Sequence, residues 1–422
     1  MSFFDLDHWT EIYAALAKNK LRTALTAFGV FWGIFMLMVL LGSGEGLRNG
    51  ITSDFSGSAP NALYMWTQRT TKPYRGLPPG RNFDFDNADI EAIRRQVPEA
   101  GVIAPMNQLG GFRGGNNVVR GLESGGFQVM GTYPEVRAID YMDISEGRFL
   151  NRIDLDETRK VAVIGSRVYE VLFEEDEKPL GETIRINGVT FKVVGVFQSR
   201  ATGEQAIREA EKIYVPFTSF QRAFNYGDEV GWFAITAVPG AAASDVEEKV
   251  AALLRQRHRI HPDDTRAIGS WNSEVEYNKI QGLFGGITTL VWIVGIGTLT
   301  AGVIGVSNIM LIVVRERTKE IGLRRAIGAT PLGVTLQIIM EAIVLTGLAG
   351  YFGLLAGIGL VEGVGVLLAN AGANTQMFQH PGVSLGNALT ALMVLVACGV
   401  LAGLIPARRA VAISPVEALH SV

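Results

Sequence analysis

The sequence predicts an α-helical membrane protein with four transmembrane helices and a large α+β extracytoplasmic domain inserted between helices 1 and 2. Three observations predict it. Only 19 % of the 422 residues are charged while 48 % are hydrophobic, and the mean hydropathy is +0.23. Four long stretches carry no charge at all. Between the first and second of these, the pattern changes to short β-branched and aromatic runs separated by turns.

In chain order, residues 1–23 place Leu6, Trp9, Tyr13 and Leu16 at helical spacing, which suits an amphipathic helix on the cytoplasmic membrane face. A hydrocarbon core of about 30 Å needs about 20 apolar helical residues. Transmembrane helix 1 is expected at 24–45, in the uncharged run between Arg22 and Glu45. A signal peptide fits poorly there, because the apolar run is long and no small-residue cleavage site follows, so the helix is expected to stay in the chain.

Residues 46–281 form the expected extracytoplasmic core domain and stalk. Within it, 61–66, 160–165, 182–197 and 232–238 read as strands, with Asn187-Gly188 as a hairpin turn. The stretches 87–97 and 244–255 read as helices, the second opening on Ser244-Asp245. Alternating strands and helices over roughly 230 residues give an α+β domain of one or two subdomains. The turn-rich stretches 68–82 and 199–211 read as mobile loops.

Transmembrane helix 2 is expected at 282–314, inside an uncharged stretch of 35 residues between Lys279 and Arg315. Such a helix would be about 52 Å long, more than the hydrocarbon core, so part of it should project as a stalk. A link at 315–331, a helix 3 region at 332–369, an outer loop at 370–387, helix 4 at 388–407 and a tail at 408–422 complete the chain. Basic residues beside membrane helices stay preferentially in the cytoplasm. Lys18, Lys20, Arg22, Arg315, Arg317, Lys319, Arg324, Arg325, Arg408 and Arg409 fall on one side of four alternating spans. Both termini are therefore expected in the cytoplasm.

The formal charge of −3 advertises no nucleic acid as a partner, and the single cysteine, Cys398, closes no intramolecular disulfide. None of the ten lysines is followed by Ser or Thr, so the phosphate-loop pattern is missing, and Gly42, Gly44 and Gly46 lack the spacing of a dinucleotide loop. His258 and His261 with Asp263 and Asp264 could ligate a metal, but basic neighbours and a His-Pro turn favour a solvated loop. No catalytic residue, metal site or cofactor of the chain's own is expected, and the protein is read as no enzyme.

Asn308, Glu341 and Glu362 are polar groups within or beside the spans. Glu341 and Glu362 bracket 20 uncharged residues and are expected to mark the two membrane interfaces, a reading preferred to a proton relay; Asn308 is expected to hydrogen-bond across helices. Gly297, Ala301 and Gly305, and again Ala349, Gly353 and Gly357, form rows of small residues four apart. Such rows let helices approach closely, within a subunit or between subunits.

The link RERTKEIGLRRAIGATP (315–331) is more organised than a positively charged stop-transfer loop requires. Glu320 with Arg324 and Glu316 with Lys319 have helix-supporting spacings, Ile321 and Leu323 need a cover, and Gly328 with Thr330-Pro331 turns the chain into the next span. A short charged helix with apolar residues suits a partner's groove.

At these residues the sequence resembles the FtsX-like permease domain of MacB-type ABC transporters. The segments 19–33, 308–314 and 405–419 resemble that family too, as does the outer pattern GRFL…KVAVIG…PLGETIRINGVTFKVVGVF at 147–197. The resemblance covers nearly the whole chain. It implies a homo- or heterodimer with four spans per subunit and an outer domain like the MacB periplasmic core. It also implies a separate cytoplasmic ABC ATP-binding subunit holding ATP and Mg. Carried over by position, Arg315, Glu316, Arg317, Lys319, Glu320, Ile321, Leu323, Arg324, Arg325, Gly328 and Ala329 would contact that subunit. Closure of the subunit on ATP would be relayed through the stalk, so that the outer domain expels a ligand without passage between the membrane helices. An exporter would also meet a membrane-fusion adaptor and an outer-membrane channel. The alternative is an FtsX-like regulator that activates a cell-wall hydrolase or relays a signal without cargo.

Overall fold

The computed structural model describes residues 20–53, 57–110, 116–174, 177–201, 203–370 and 378–412. The expected amphipathic helix lies outside them except for its last residues, as do parts of the loop at 370–387 and of the tail at 408–422. Two compact units form, residues 51–281 and residues 1–50 with 282–422. Helix α1 (Lys20–Ser53) comes first. It is followed by β1 (Ala62–Thr67), β2 (Phe85–Asp86), α2 (Asn87–Gln96), β3 (Ala100–Gln108), β4 (Asn116–Arg120), β5 (Glu123–Thr132), β6 (Met142–Gly147), α3 (Arg152–Asp156), β7 (Val161–Gly165) and α4 (Ser166–Leu172). Then come β8 (Thr183–Ile186), β9 (Val189–Ser199), α5 (Gly203–Ala210), β10 (Lys212–Pro216), α6 (Phe217–Ala223), β11 (Glu229–Val230), β12 (Trp232–Ala237), α7 (Ala243–Arg257) and β13 (Ile268–Asn272). Four helices close the chain: α8 (Ser273–Glu316), α9 (Thr318–Ala326), α10 (Pro331–Asn370) and α11 (Leu385–Ala412).

Local chemistry sets several of these boundaries in the 51–281 unit. The Asp86 side chain accepts the Asp89 N–H while Asp89 accepts the Asp86 N–H, a capping box that opens α2. Asn187 (φ +43°) and Gly188 (φ +89°) form the turn between β8 and β9, and the two positive φ values match the right-handed twist of the flanking strands. Helix α7 departs from the expected start. It begins at Ala243 without a side-chain cap, and the Glu274 carboxylate accepts the Ala243 N–H at 2.7 Å.

Eleven of the described strands build one sheet in the order β10-β7-β9-β8-β4-β5-β3-β12-β1-β13, with β6 beside β9, and β11 pairs with β2 in a second, two-stranded sheet. Strand β10 pairs antiparallel with β7 and parallel with β5, so β5, β10, β7, β9, β8 and β4 close into a ring. The ring encloses an apolar core that includes Val118, Phe127, Val129, Ile164, Ile186, Phe191, Val193 and Ile213. From β5 the sheet continues as an open arm through β3, β12, β1 and β13. Alternation sends Leu63, Met65, Phe233 and Ile235 to a core under α2 and α7, while Ala62, Ala104, Met106 and Ala234 face a second core with Phe197 and Tyr214.

The two stretches read as mobile loops have defined conformations over their described residues. In 68–82, Asp264 accepts the Thr71 N–H (2.6 Å), the Thr71 hydroxyl (2.7 Å) and the Lys72 N–H (3.0 Å), and Tyr74 and Leu77 pair backbone to backbone. The stretch 199–211 contains α5.

In the other unit, α1, α8, α10 and α11 are each long and apolar enough to cross a membrane. At 44 residues, α8 is about 66 Å long, roughly twice the hydrocarbon thickness, and its first nine residues belong with the 51–281 unit. Val30, Ile34, Leu37 and Met38 of α1, Leu299 and Val306 of α8, Ile338 and Leu345 of α10 and Leu395 of α11 share one buried cluster.

Candidate functional site

The link between α8 and α10 is built by short-range rules. Helix α8 ends at Glu316, and Arg317 is the whole joint: its N–H still bonds to the Val313 carbonyl (3.0 Å), and its own carbonyl accepts the Ile321 N–H (3.0 Å). Helix α9 closes in a Schellman motif, with the Ala329 N–H bonded to the Arg324 carbonyl and the Gly328 N–H to the Arg325 carbonyl. Gly328 takes φ +108°, a value an L side chain would resist. Thr330 then caps α10, accepting the Gly333 N–H at 3.2 Å, and Pro331 occupies the first turn where no N–H is needed.

This geometry divides the residues singled out by sequence into two groups. Arg315, Glu316, Lys319, Glu320, Leu323 and Gly328 are exposed, with Leu323 at 50 %. Arg317, Ile321, Arg324, Arg325 and Ala329 are half-buried, and Ile321 and Ala329 pack against the membrane cluster. Arg324 pairs with Glu320 at 2.8 Å. Among the described residues no ion pair joins Glu316 to Lys319, because the chain breaks helix between them. Ile327 (78 % exposed) and Leu332 (68 %) extend the apolar surface begun by Leu323. Sequence reasoning missed both; the available signal was large apolar residues flanking a glycine turn.

Three hydrogen bonds among the described residues hold the joint and the inner side of α9. Arg317 Nη1 donates to Glu341 Oε1 on α10 at 3.1 Å, Arg324 Nη1 to Gln337 Oε1 on α10 at 3.4 Å, and Arg325 Nη1 to the Val411 carbonyl on α11 at 2.7 Å. Glu341 is 4 % exposed. It lies about 15 Å of helix beyond the start of α10 at Pro331, and its carboxylate is turned into the protein. Glu362 is exposed.

The small-residue rows also divide. A side chain at Gly353 would meet the Phe31 carbonyl at 2.5 Å and one at Gly357 would meet Met38 at 2.6 Å, so this row carries the close approach of α1 and α10, and Ala349 is buried beside it. On α8 the face against α1 holds Gly295, Leu299 and Gly302 instead. Gly297 has open space where a side chain would stand, Ala301 is exposed, and Gly305 only skirts Thr26. Asn308 is exposed too, and among the described residues its side chain makes no hydrogen bond to another helix of this chain. In the other unit, His258 contacts the Asp89 carboxylate at 2.7 Å, beside Arg257, and the described residues hold no cluster of metal-ligating side chains.

Comparison with known proteins places two segments. Residues 23–253 match the MacB-like periplasmic core domain, and residues 292–415 match the FtsX-like permease C-terminal domain. The pyoverdine export ATP-binding/permease protein PvdT of Pseudomonas entomophila (strain L48) is 31 % identical over 411 residues, covering 96 % of this chain and 58 % of that protein. The macrolide export ATP-binding/permease protein MacB of Nitrobacter winogradskyi is 29 % identical over 408 residues, covering 96 % and 59 %. The chain thus spans less than two thirds of the length of these relatives. Among solved structures, the periplasmic region of MacB from Actinobacillus actinomycetemcomitans aligns at 17 % identity and a TM-score of 0.42, covering 53 % of this chain and 94 % of that one.

Proposed function

Because the chain belongs to the family of FtsX-like permeases that carry a MacB-like periplasmic core domain, we propose that it is the permease subunit of an ABC transporter, transmitting ATP-driven motion to its outer domain to drive export. The outward face of α9 carries this reading: Lys319, Glu320 and Leu323, continued by Ile327 and Leu332, form a charged and apolar surface beyond the membrane cluster. Apolar side chains so exposed on a short helix suit the groove of a protein partner. In this reading the partner is a cytoplasmic ATP-binding subunit, which holds ATP and Mg, and its closure moves the permease as a rigid body.

In this reading α9 and both termini lie in the cytoplasm and residues 46–281 outside, which the basic residues flanking the spans support. Gly297, Ala301 and Asn308, turned away from this chain's own helices, offer a small and polar row to a second permease subunit. An adaptor would meet the outer domain. Export is preferred to hydrolase regulation because the similar proteins from Pseudomonas and Nitrobacter carry export in their names.

The test is co-purification of the full-length chain with a co-expressed ABC ATP-binding subunit. The double variant Leu323→Asp/Ile327→Asp should lower the recovered ATPase at least tenfold while leaving the permease folded in detergent. Equal recovery would remove α9 from the docking surface.

A further inference from the structure

We propose that the Arg317–Glu341 pair is a transmission clamp, a pair of positioning residues that makes α10 move with α9 instead of leaving α8 as the only lever. The proposal rests on α9 being the docking surface. It begins from the joint: Arg317 is the single residue between α8 and α9, where two helices could otherwise pivot about one backbone. Its guanidinium spans that pivot to reach a carboxylate on α10.

The pairing has a ladder geometry. Gln337 and Glu341 are four apart on α10, hence on one face, and Arg317 and Arg324 are seven apart, two turns, on the facing side. Their contacts make two rungs onto α10, one from the joint and one from α9, and Arg325 to the Val411 carbonyl makes a third rung to α11. One bond would allow rotation about itself; three bonds to two helices fix both the position and the roll of α9. On the outward side, Lys319 and Leu323 are exposed, while Glu320 braces the ladder by pairing with Arg324 at 2.8 Å and Arg317 at 3.9 Å.

Stability alone gives a poor reason for this chemistry. Glu341 is 4 % exposed on a helix otherwise almost free of charge, and burying a carboxylate there incurs desolvation that an apolar pair would avoid. A charged pair fixes register as an apolar contact does not, because a slip by one turn separates the Arg317 guanidinium from the Glu341 carboxylate. The arrangement therefore suits an element that is pushed and must not slide. Val313, Ile338 and Val334 line the same junction, which encloses a cavity of about 30 Å³.

The clamp is tested in the full-length chain, reconstituted with its ATP-binding subunit, with Cys398→Ala removing the native thiol. Leu367→Cys, exposed near the far end of α10, carries a fluorophore. Glu341→Gln is expected to keep ATPase binding within twofold and to lose at least fivefold of the ATP-dependent fluorescence change, which the swap Arg317→Glu/Glu341→Arg restores. A full response in Glu341→Gln would overturn the clamp. Loss of ATPase binding in Glu341→Gln would also overturn it, by assigning the pair to docking. Should Glu341→Gln fail to fold, Arg317→Lys replaces it, with a reduced response expected and an undiminished one refuting the proposal. Failure of the parent chain to bind the ATPase is a different result: it removes the coupling reading, and the clamp with it.

Discussion

Asp140 shows how one carboxyl reports on its surroundings. It accepts the Tyr64 hydroxyl at 2.9 Å, and burial pushes its pKa up to about 6, with the charge of Lys212 pulling it down and that of Glu209 adding to the rise. A carboxyl that holds its proton more tightly when folded stabilises the fold fully below the unfolded value of about 3.9. That contribution fades as pH rises towards 6 and is gone above it. Asp140→Asn keeps an acceptor for Tyr64 and removes the charge, so it should raise stability at pH 7.5 by about 1–2 kcal/mol and by almost nothing at pH 4. Melting of the intact chain at both pH values checks this; a gain independent of pH would show that packing, not ionisation, is responsible. Glu341 teaches a different lesson at this scale. Counting uncharged residues found the span correctly but said nothing about direction, and only the pairing with Arg317 shows that the carboxylate turns inward.

Among elements, legibility followed periodicity. The spans, α2, β1, β7, β12 and the Asn187-Gly188 hairpin were readable because apolar spacing or turn chemistry marks them locally. Strands β3, β4 and β5 were not. Their sequences AGVIAPMNQ, NNVVR and ESGGFQVMGT contain the Gly, Asn and Pro that strands usually avoid, and besides the β4–β5 hairpin their pairing is with strands distant in sequence, β12 for β3, β8 for β4 and β10 for β5. Gly131 is one reason: a side chain there would stand 2.5 Å from Phe220, so packing kept the glycine at the expense of the strand signal. Small-residue rows show the same limit, since the four-residue spacing at 297–305 is identical to that at 349–357 and spacing does not say which face is covered. The contrast is testable. Gly353→Leu should break the contact between α1 and α10 and lower the yield of folded chain severalfold, whereas Gly297→Leu should leave that yield unchanged. Size-exclusion recovery in mild detergent measures both, and equal losses would contradict the packing described.

For the whole molecule, the division into two units was legible from the change in pattern after the first span, because a bilayer and water select different compositions. The side each unit faces is accessible to labelling. In a Cys398→Ala background, Leu122→Cys at the fully exposed turn between β4 and β5 should react with a membrane-impermeant maleimide in intact cells, and Ile327→Cys should react only after lysis. The opposite pattern would invert the assigned topology.

The closure of β10 onto β5 has a mechanical corollary. A hoop of hydrogen-bonded strands cannot shear without breaking several bonds at once, so those six strands behave as a stiff collar. The open arm is built differently: among the described residues β13 pairs with β1 alone, so it can peel without disturbing the collar.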